Sequence, residues 1–211
     1  MKDTEVNNRI ISSEAMINNE KISNGKLDEN DYEKFATALG ILSELPIYID
    51  DTSGISITEI RAKCRKLKIE EDIGLVVIDY LQLITPNSKK NGTRENEVAE
   101  ISRALKVLAK ELEIPIIALS QLSRANEKNS GKVREPTLSD LRDSGAIEQD
   151  ADIVLFIHRK GYYDRTDIEN LNQASLIVAK NRSGSMGEIE LLWFGEYTKF
   201  VNKDNFREEN L

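Results

Sequence analysis

The sequence is short of several things, and each shortage excludes something. It has one cysteine among 211 residues, Cys64, so no internal disulfide can form. No run of about 18 apolar residues occurs, so no transmembrane helix is expected. The opening stretch MKDTEVNNRIISSE lacks the apolar centre of a signal peptide. Positive charge is in deficit: the net charge is −8, which argues against a general nucleic-acid binder. That balance does not speak against a small basic loop facing a channel. Internal repeats and low-complexity linkers are absent. These features fit a cytoplasmic protein in a reducing compartment, with no membrane partner.

What is present suits a folded α/β protein. Apolar residues make up 39% of the chain and charged residues 31%, enough for one sizeable core. Tyr32, Phe35, Leu39 and Leu42 recur at spacings of three and four and predict a helix over 31–42. Residues 46–51, PIYIDD, read as a strand whose end explains Asp50 and Asp51. Ser56 and Glu59 form a capping-box pattern before the apolar face Ile57, Ile60, Cys64 and Leu67. Cys64 on that face reads as a small core residue. Thr93 opens a helix with Val98, Ile101, Leu105, Leu108 and Leu112 on one side, and Thr137 with Asp140 opens a shorter one.

Three apolar runs, 75–78, 116–119 and 153–157, show no alternation and predict parallel strands buried on both faces. The segments 175–180 and 188–194 flank a polar, glycine-bearing connection too short for a parallel crossover, which predicts an antiparallel hairpin. The buried runs are followed by Asp79, Gln121 and His158. Ligands in open α/β sheets bind beyond the carboxyl ends of the strands, so Asp79 and Gln121 are site candidates. His158 has no Ser or Cys partner in a readable triad. Trp193 and Phe194 alternate faces in their strand; packing explains them better than base stacking does.

Five blocks then carry a resemblance: LVVIDYLQLI at 75–84, IPIIALSQLSR at 114–124, SDLRDSGAIEQDAD at 139–152, AKNRSG at 179–184 and ELLWFGEYTKFVN at 190–202. In this order and spacing, from about residue 20 to 202, the chain resembles the motor domain of DnaB-type replicative DNA helicases. The resemblance implies an α/β, RecA-like core with a mostly parallel sheet and the C-terminal antiparallel hairpin. It implies a partial motor domain over 1–202 and a charged tail over 203–211.

It also implies roles and ligands: ATP and Mg²⁺, single-stranded DNA, a homo-hexameric ring, a primase and a helicase loader. Asp79 resembles the Walker B carboxylate that organises Mg²⁺ through water. Gln121 resembles the polar sensor between the γ-phosphate and the DNA loops; a neutral amide can both donate and accept. Lys180 and Arg182 resemble the pair reaching a neighbouring subunit's nucleotide, where a planar guanidinium suits phosphate oxygens. Arg142, Asp143 and Gly145 resemble the loop on the DNA backbone, with Asp143 where the family more often has Glu. Lys89, Lys90 and Arg94 form one basic loop segment and Arg124 begins another, which also contains Lys128, Lys132 and Arg134. Both are candidate DNA contacts.

One requirement of such an enzyme is unmet. A phosphate-binding loop needs G-x-x-x-x-G-K-[ST], whereas Gly25-Lys26 precedes Leu27 and Gly131-Lys132 precedes Val133, with no upstream glycine in either case. The resemblance places that loop, its strand and the glutamate that activates water before the residues matched here. The chain is therefore expected to be catalytically incomplete alone and to leave apolar strand edges without neighbours. The activity implied for the intact protein is ATP-driven 5′-to-3′ unwinding of duplex DNA. Two other readings stay open: another RecA-like ATPase of recombination or repair, and a non-catalytic module that binds a helicase ring.

Overall fold

The computed structural model describes residues 1–86, 93–122, 134–163 and 170–203. The chain divides into two compact units: one of Met1–Asp51, Ile157–Ile177 and Glu188–Leu211, the other of Thr52–Phe156 and Val178–Gly187.

In the first unit, α1 (Asp3–Ala15) packs on α2 (Asn19–Asn24) and α3 (Glu29–Ser43). The sequence reading did not anticipate α1 and α2. Their apolar signal is thin, and they are anchored instead by Ile11, Ile17 and the buried Ser12, whose hydroxyl donates to the Ile17 carbonyl at 2.7 Å. Helix α3 forms as expected, with Phe35 and Leu42 of the expected face half-buried, but that face is rotated. Asp31 and Ala38 are buried, while Tyr32 is 58% and Leu39 47% exposed. Asp31 closes the capping box with Asp28 and holds the Lys21 ammonium at 2.6 Å. This fixes it on the inner side, and the residue after it then points about 100° further round. The strand expected at 46–51 does not form: the segment pairs with no described strand, and a strand needs a ladder partner.

The expected hairpin is present as β4 (Gln173–Asn181) and β5 (Gly187–Phe194), and β5 pairs antiparallel with β6 (Lys199–Asn202). Trp193 lies opposite Phe200 with ring centres 4.5 Å apart, and the Arg159 guanidinium sits 4.8 Å from the Trp193 ring, so packing does account for the tryptophan.

The second unit holds α4 (Ile57–Glu71), β1 (Val76–Ile78), α5 (Arg94–Leu112), β2 (Ile116–Ala118), a 3-10 segment (Leu138–Ser144) and α6 (Gly145–Asp150). Ser56 and Glu59 make the expected reciprocal cap on α4. Its face Ile57, Ile60 and Cys64 meets Ile101, Leu105, Leu108 and Leu112 of α5 in one core, closed by Leu81 and Ile84. Burying side chains of this size stabilises by about 1.5–3 kcal/mol each. Arg61 and Arg65 of α4 both grip Glu111 of α5, Arg61 at 2.5 Å.

The parallel sheet is smaller than the sequence predicts. β1 and β2 pair in register, Ile78 beside Ala118, but β3 (Ile153–His158) belongs to a separate sheet of order β3-β4-β5-β6. The expectation of burial on both faces fails too. β3 alternates, with Val154, Phe156 and His158 buried and Leu155 50% exposed, and Val77 of β1 is 58% exposed. The apolar runs are double-sided, but no described element covers their second side.

Candidate functional site

The parallel register of β1 and β2 carries their polar ends to the same edge. Asp79 follows Ile78 directly and is exposed, and the Asp79–Tyr80 peptide is cis. After β2, the Leu119 N–H donates to the Ile78 carbonyl at 2.9 Å, and the Leu81 N–H donates to the Leu119 carbonyl at 2.9 Å. Asp79 and Gln121 are thus fixed on adjoining strand ends. A residue that motif reading passed over ties them more closely. Gln82, in the 3-10 turn Leu81–Leu83, donates from Nε2 to Ser120 Oγ at 3.1 Å and to the Gln121 carbonyl at 3.4 Å. Its Oε1 accepts from the Gln121 N–H at 3.4 Å. The Y-L-Q-L run contained that signal, since a side-chain amide carries a donor and an acceptor on separate atoms and can meet an N–H and a carbonyl together.

Arg94 departs from its expected place in a loop. It is the first residue of α5, where its guanidinium holds Glu97 at 2.8 Å and reaches the Gln82 carbonyl. It therefore braces the 3-10 turn after Asp79. Lys89, Lys90, Arg124, Lys128 and Lys132 lie outside the described residues. Arg134 is also committed within the chain: it donates to Asp140 at 2.6 Å, and the Thr137 N–H donates to the same carboxylate at 2.7 Å. Burial alone would raise the Asp140 pKa, but the Thr137 N–H and Arg134 outweigh it and hold the carboxyl below its ordinary range.

That capped turn leads through the 3-10 backbone of Arg142, Asp143 and Ser144, whose side chains lie outside the described residues, to Gly145 at the start of α6. Gly145 has right-handed helical backbone, and a Cβ there would meet nothing among the described residues. No contact among the described residues demands a glycine at this position.

Lys180 ends its hairpin strand beside Asn181, and Arg182 stands in the turn. The turn is built locally: the Ser183 N–H donates to Asn181 Oδ1 at 3.2 Å, and Asn181 Nδ2 donates to the Ser185 carbonyl at 3.3 Å. A Cβ on Gly184 would lie 2.6 Å from that amide nitrogen, so a side chain there would have to displace the Asn181 amide from its bond to Ser185. Both cations point back at α6. The Lys180 ammonium donates to the Glu148 carbonyl, and Arg182 Nη2 donates to the Gln149 carbonyl at 2.9 Å. Arg182 Nη1 lies 3.5 Å from the Asp152 carboxylate, which Lys106 also holds. The Lys106 hydrogen bond keeps the Asp152 carboxyl below its ordinary range.

Among the described residues no three His, Cys, Asp or Glu side chains gather as a metal site, and no described helix is long and apolar enough to cross a membrane. A single exposed carboxylate at a strand end fits a Mg²⁺ carried largely by phosphates and water rather than by a protein cage.

The family model described as DnaB-like helicase C terminal domain matches residues 1–202. The chain is 50% identical over 194 residues to the replicative DNA helicase DnaB of Geobacillus stearothermophilus, covering 92% of this chain and 42% of that protein. It is equally similar to the replicative DNA helicase DnaC of Bacillus subtilis, 50% over 194 residues with the same coverage. The chain thus spans less than half the length of these relatives. A solved DnaB-like replicative helicase, described with its interactions with primase, superposes with a TM-score of 0.88 at 41% identity over 96% of this chain and 49% of that one. The solved ATPase domain of G40P gives 0.87 at 41% identity over 96% of this chain and 71% of that domain. The α/β fold is accordingly that of DnaB-like, RecA-fold ATPase domains, and the chain belongs to the DnaB-like helicase C-terminal domain family.

Proposed function

We propose that this chain is the C-terminal portion of the motor of an ATP-driven replicative DNA helicase, working as a homo-hexameric ring that moves 5′-to-3′ on single-stranded DNA. The observation that carries the reading is its 50% identity to replicative helicases over 92% of its length. Asp79 would hold Mg²⁺. Gln121, braced by Gln82, senses the γ-phosphate. Lys180 and Arg182 serve a nucleotide bound to the adjacent subunit. Arg142, Asp143 and Gly145 follow the DNA backbone, aided by Lys89, Lys90 and Arg124. The glycine at 145 and the absence of any intrachain crowding there support close approach by an external ligand. Mg²⁺, when bound, would neutralise charge developing on the transferred phosphoryl group. A primase and a loader are the expected partners, and the cytoplasm is the expected compartment.

These 211 residues contain no G-x-x-x-x-G-K-[ST] loop, so hydrolysis needs a phosphate cradle from outside them. Isolated, the chain binds ATP more weakly than micromolar in calorimetry. The decisive experiment mixes full-length Arg182→Ala subunits with full-length Asp79→Ala subunits in one ring. An interface drawing Asp79 and Arg182 from different subunits recovers hydrolysis where both contributors are intact. Mixed rings then exceed either pure mutant ring. If subunits exchange and nothing is restored, a covalently linked dimer is made with the two mutations on one side or on opposite sides of the same interface. Activity that ignores this placement overturns the trans reading.

A further inference from the structure

Lys180, Arg182, the end of α6, Asp152 and Lys106 all lie in one compact unit. Within it Arg182 is tied three times to the stretch 149–152. Its backbone N–H donates to the Asp152 carbonyl at 3.0 Å, Nη2 donates to the Gln149 carbonyl at 2.9 Å, and Nη1 stands 3.5 Å from Asp152 Oδ1. Lys180 donates to the Glu148 carbonyl one residue earlier. Two cations therefore sit on the last carbonyls of α6, the end of a helix where positive charge is favoured. The other end of α6 begins at Gly145, directly after the 3-10 segment that contains Arg142 and Asp143.

Asp152 is placed from two sides. Lys106, projecting from α5, grips Oδ2, while Arg182 faces Oδ1. The Arg182 guanidinium is about half exposed, and an ion pair of that kind is weak, so a stronger anion can draw it away. A carboxylate held by Lys106 also gives the guanidinium one defined position to leave and return to.

We propose that Asp152, set by Lys106, is a positioning residue for Arg182, and that α6 links the Lys180–Arg182 turn to the Arg142–Gly145 segment as one moving piece. The inference rests on the reading of Arg182 as a trans-acting finger. It adds that anion capture by Arg182 is felt at Gly145, at the far end of α6 from the Gln149 carbonyl that Arg182 holds.

The test uses Asp152→Asn, Asp152→Glu and, as a second way to release the carboxylate, Lys106→Met. In the chain itself, hydrogen exchange over residues 181–187 rises by about two- to five-fold in Asp152→Asn and Lys106→Met, the scale of one lost exposed ion pair. In rings of full-length subunits, Asp152→Asn lowers kcat and the stimulation of hydrolysis by single-stranded DNA while KM for ATP stays unchanged. Asp152→Glu restores a substantial part of both. Unchanged exchange overturns the positioning contact. Faster exchange with unaltered kcat and DNA stimulation reduces the contact to a structural one and overturns the coupling. Rings disabled by Arg182→Ala but indifferent to Asp152→Asn sink this inference alone. Rings indifferent to Arg182→Ala sink the finger reading, and the coupling with it.

Discussion

Gln82 and Gln121 hold each other across the ends of two parallel strands: the Gln121 N–H donates to the Gln82 side-chain oxygen, and the Gln82 amide donates to the Gln121 carbonyl, both at 3.4 Å. The backbone after β2 is thereby registered on the turn that follows Asp79. Gln82→Ala removes both contacts. The loss of a neutral hydrogen bond of this kind costs about 1 kcal/mol. Hydrogen exchange at the Gln121 amide then rises about five-fold, and DNA-stimulated hydrolysis by full-length rings falls while nucleotide affinity is retained. Gln82→Glu keeps the acceptor and loses the donor, so it retains the amide protection but not the tie to Ser120.

The uncovered side of the apolar strands makes the isolated chain adhesive. Val77, Ile117, Ile153 and Leu155 are each about half exposed. The chain is expected to bind a hydrophobic dye and to self-associate as concentration rises. Val77→Thr together with Leu155→Thr reduces both without lowering the thermal midpoint, because these side chains contribute little buried area. A monodisperse, dye-silent chain would contradict this.

Arg142→Ala, placed in full-length rings, weakens binding to single-stranded DNA and makes the salt dependence shallower by about one phosphate contact. ATP binding is unaffected. An unchanged affinity and slope would remove Arg142 from the DNA path.

The double grip on Glu111 predicts an acid limit. Hydrogen bonds from Arg65 and Arg61 hold its carboxyl below the ordinary value of 4.5. A depressed folded-state pKa gives stability that is present above the unfolded value and lost as pH falls through the folded one. Stability is therefore flat with respect to this group from pH 7 to 5 and declines below about 4.5. Glu111→Gln flattens that decline in pH-dependent melts; an unaltered acid limb assigns it to other carboxylates.

The sequence disclosed the parts of the fold governed by local rules. The five apolar positions of α5 are the five buried ones, and the capping boxes at Ser56 and Thr137 appear as read, since both depend on neighbours three or four residues away. It failed where a partner decides. Residues 46–51 have strand chemistry but pair with no described strand, and α3 buries the ion-paired Asp31 while leaving Tyr32 and Leu39 of its expected face exposed. Of the candidate site, Asp79 and Gln121 were legible because apolar runs that form parallel strands end just before them. Gln82 and Asp152 were not, since their significance comes from residues 39 and 30 positions away.

Cys64 offers an experimental consequence. It is the sole thiol and is packed between α4 and α5. A thiol reagent added to the native chain is slowed by that burial, so a rise in its rate of modification reports the separation of those helices. The same burial leaves a cysteine introduced in the hairpin turn or near Gly145 as the one fast-reacting group, ready to carry a spectroscopic label with no background substitution to remove.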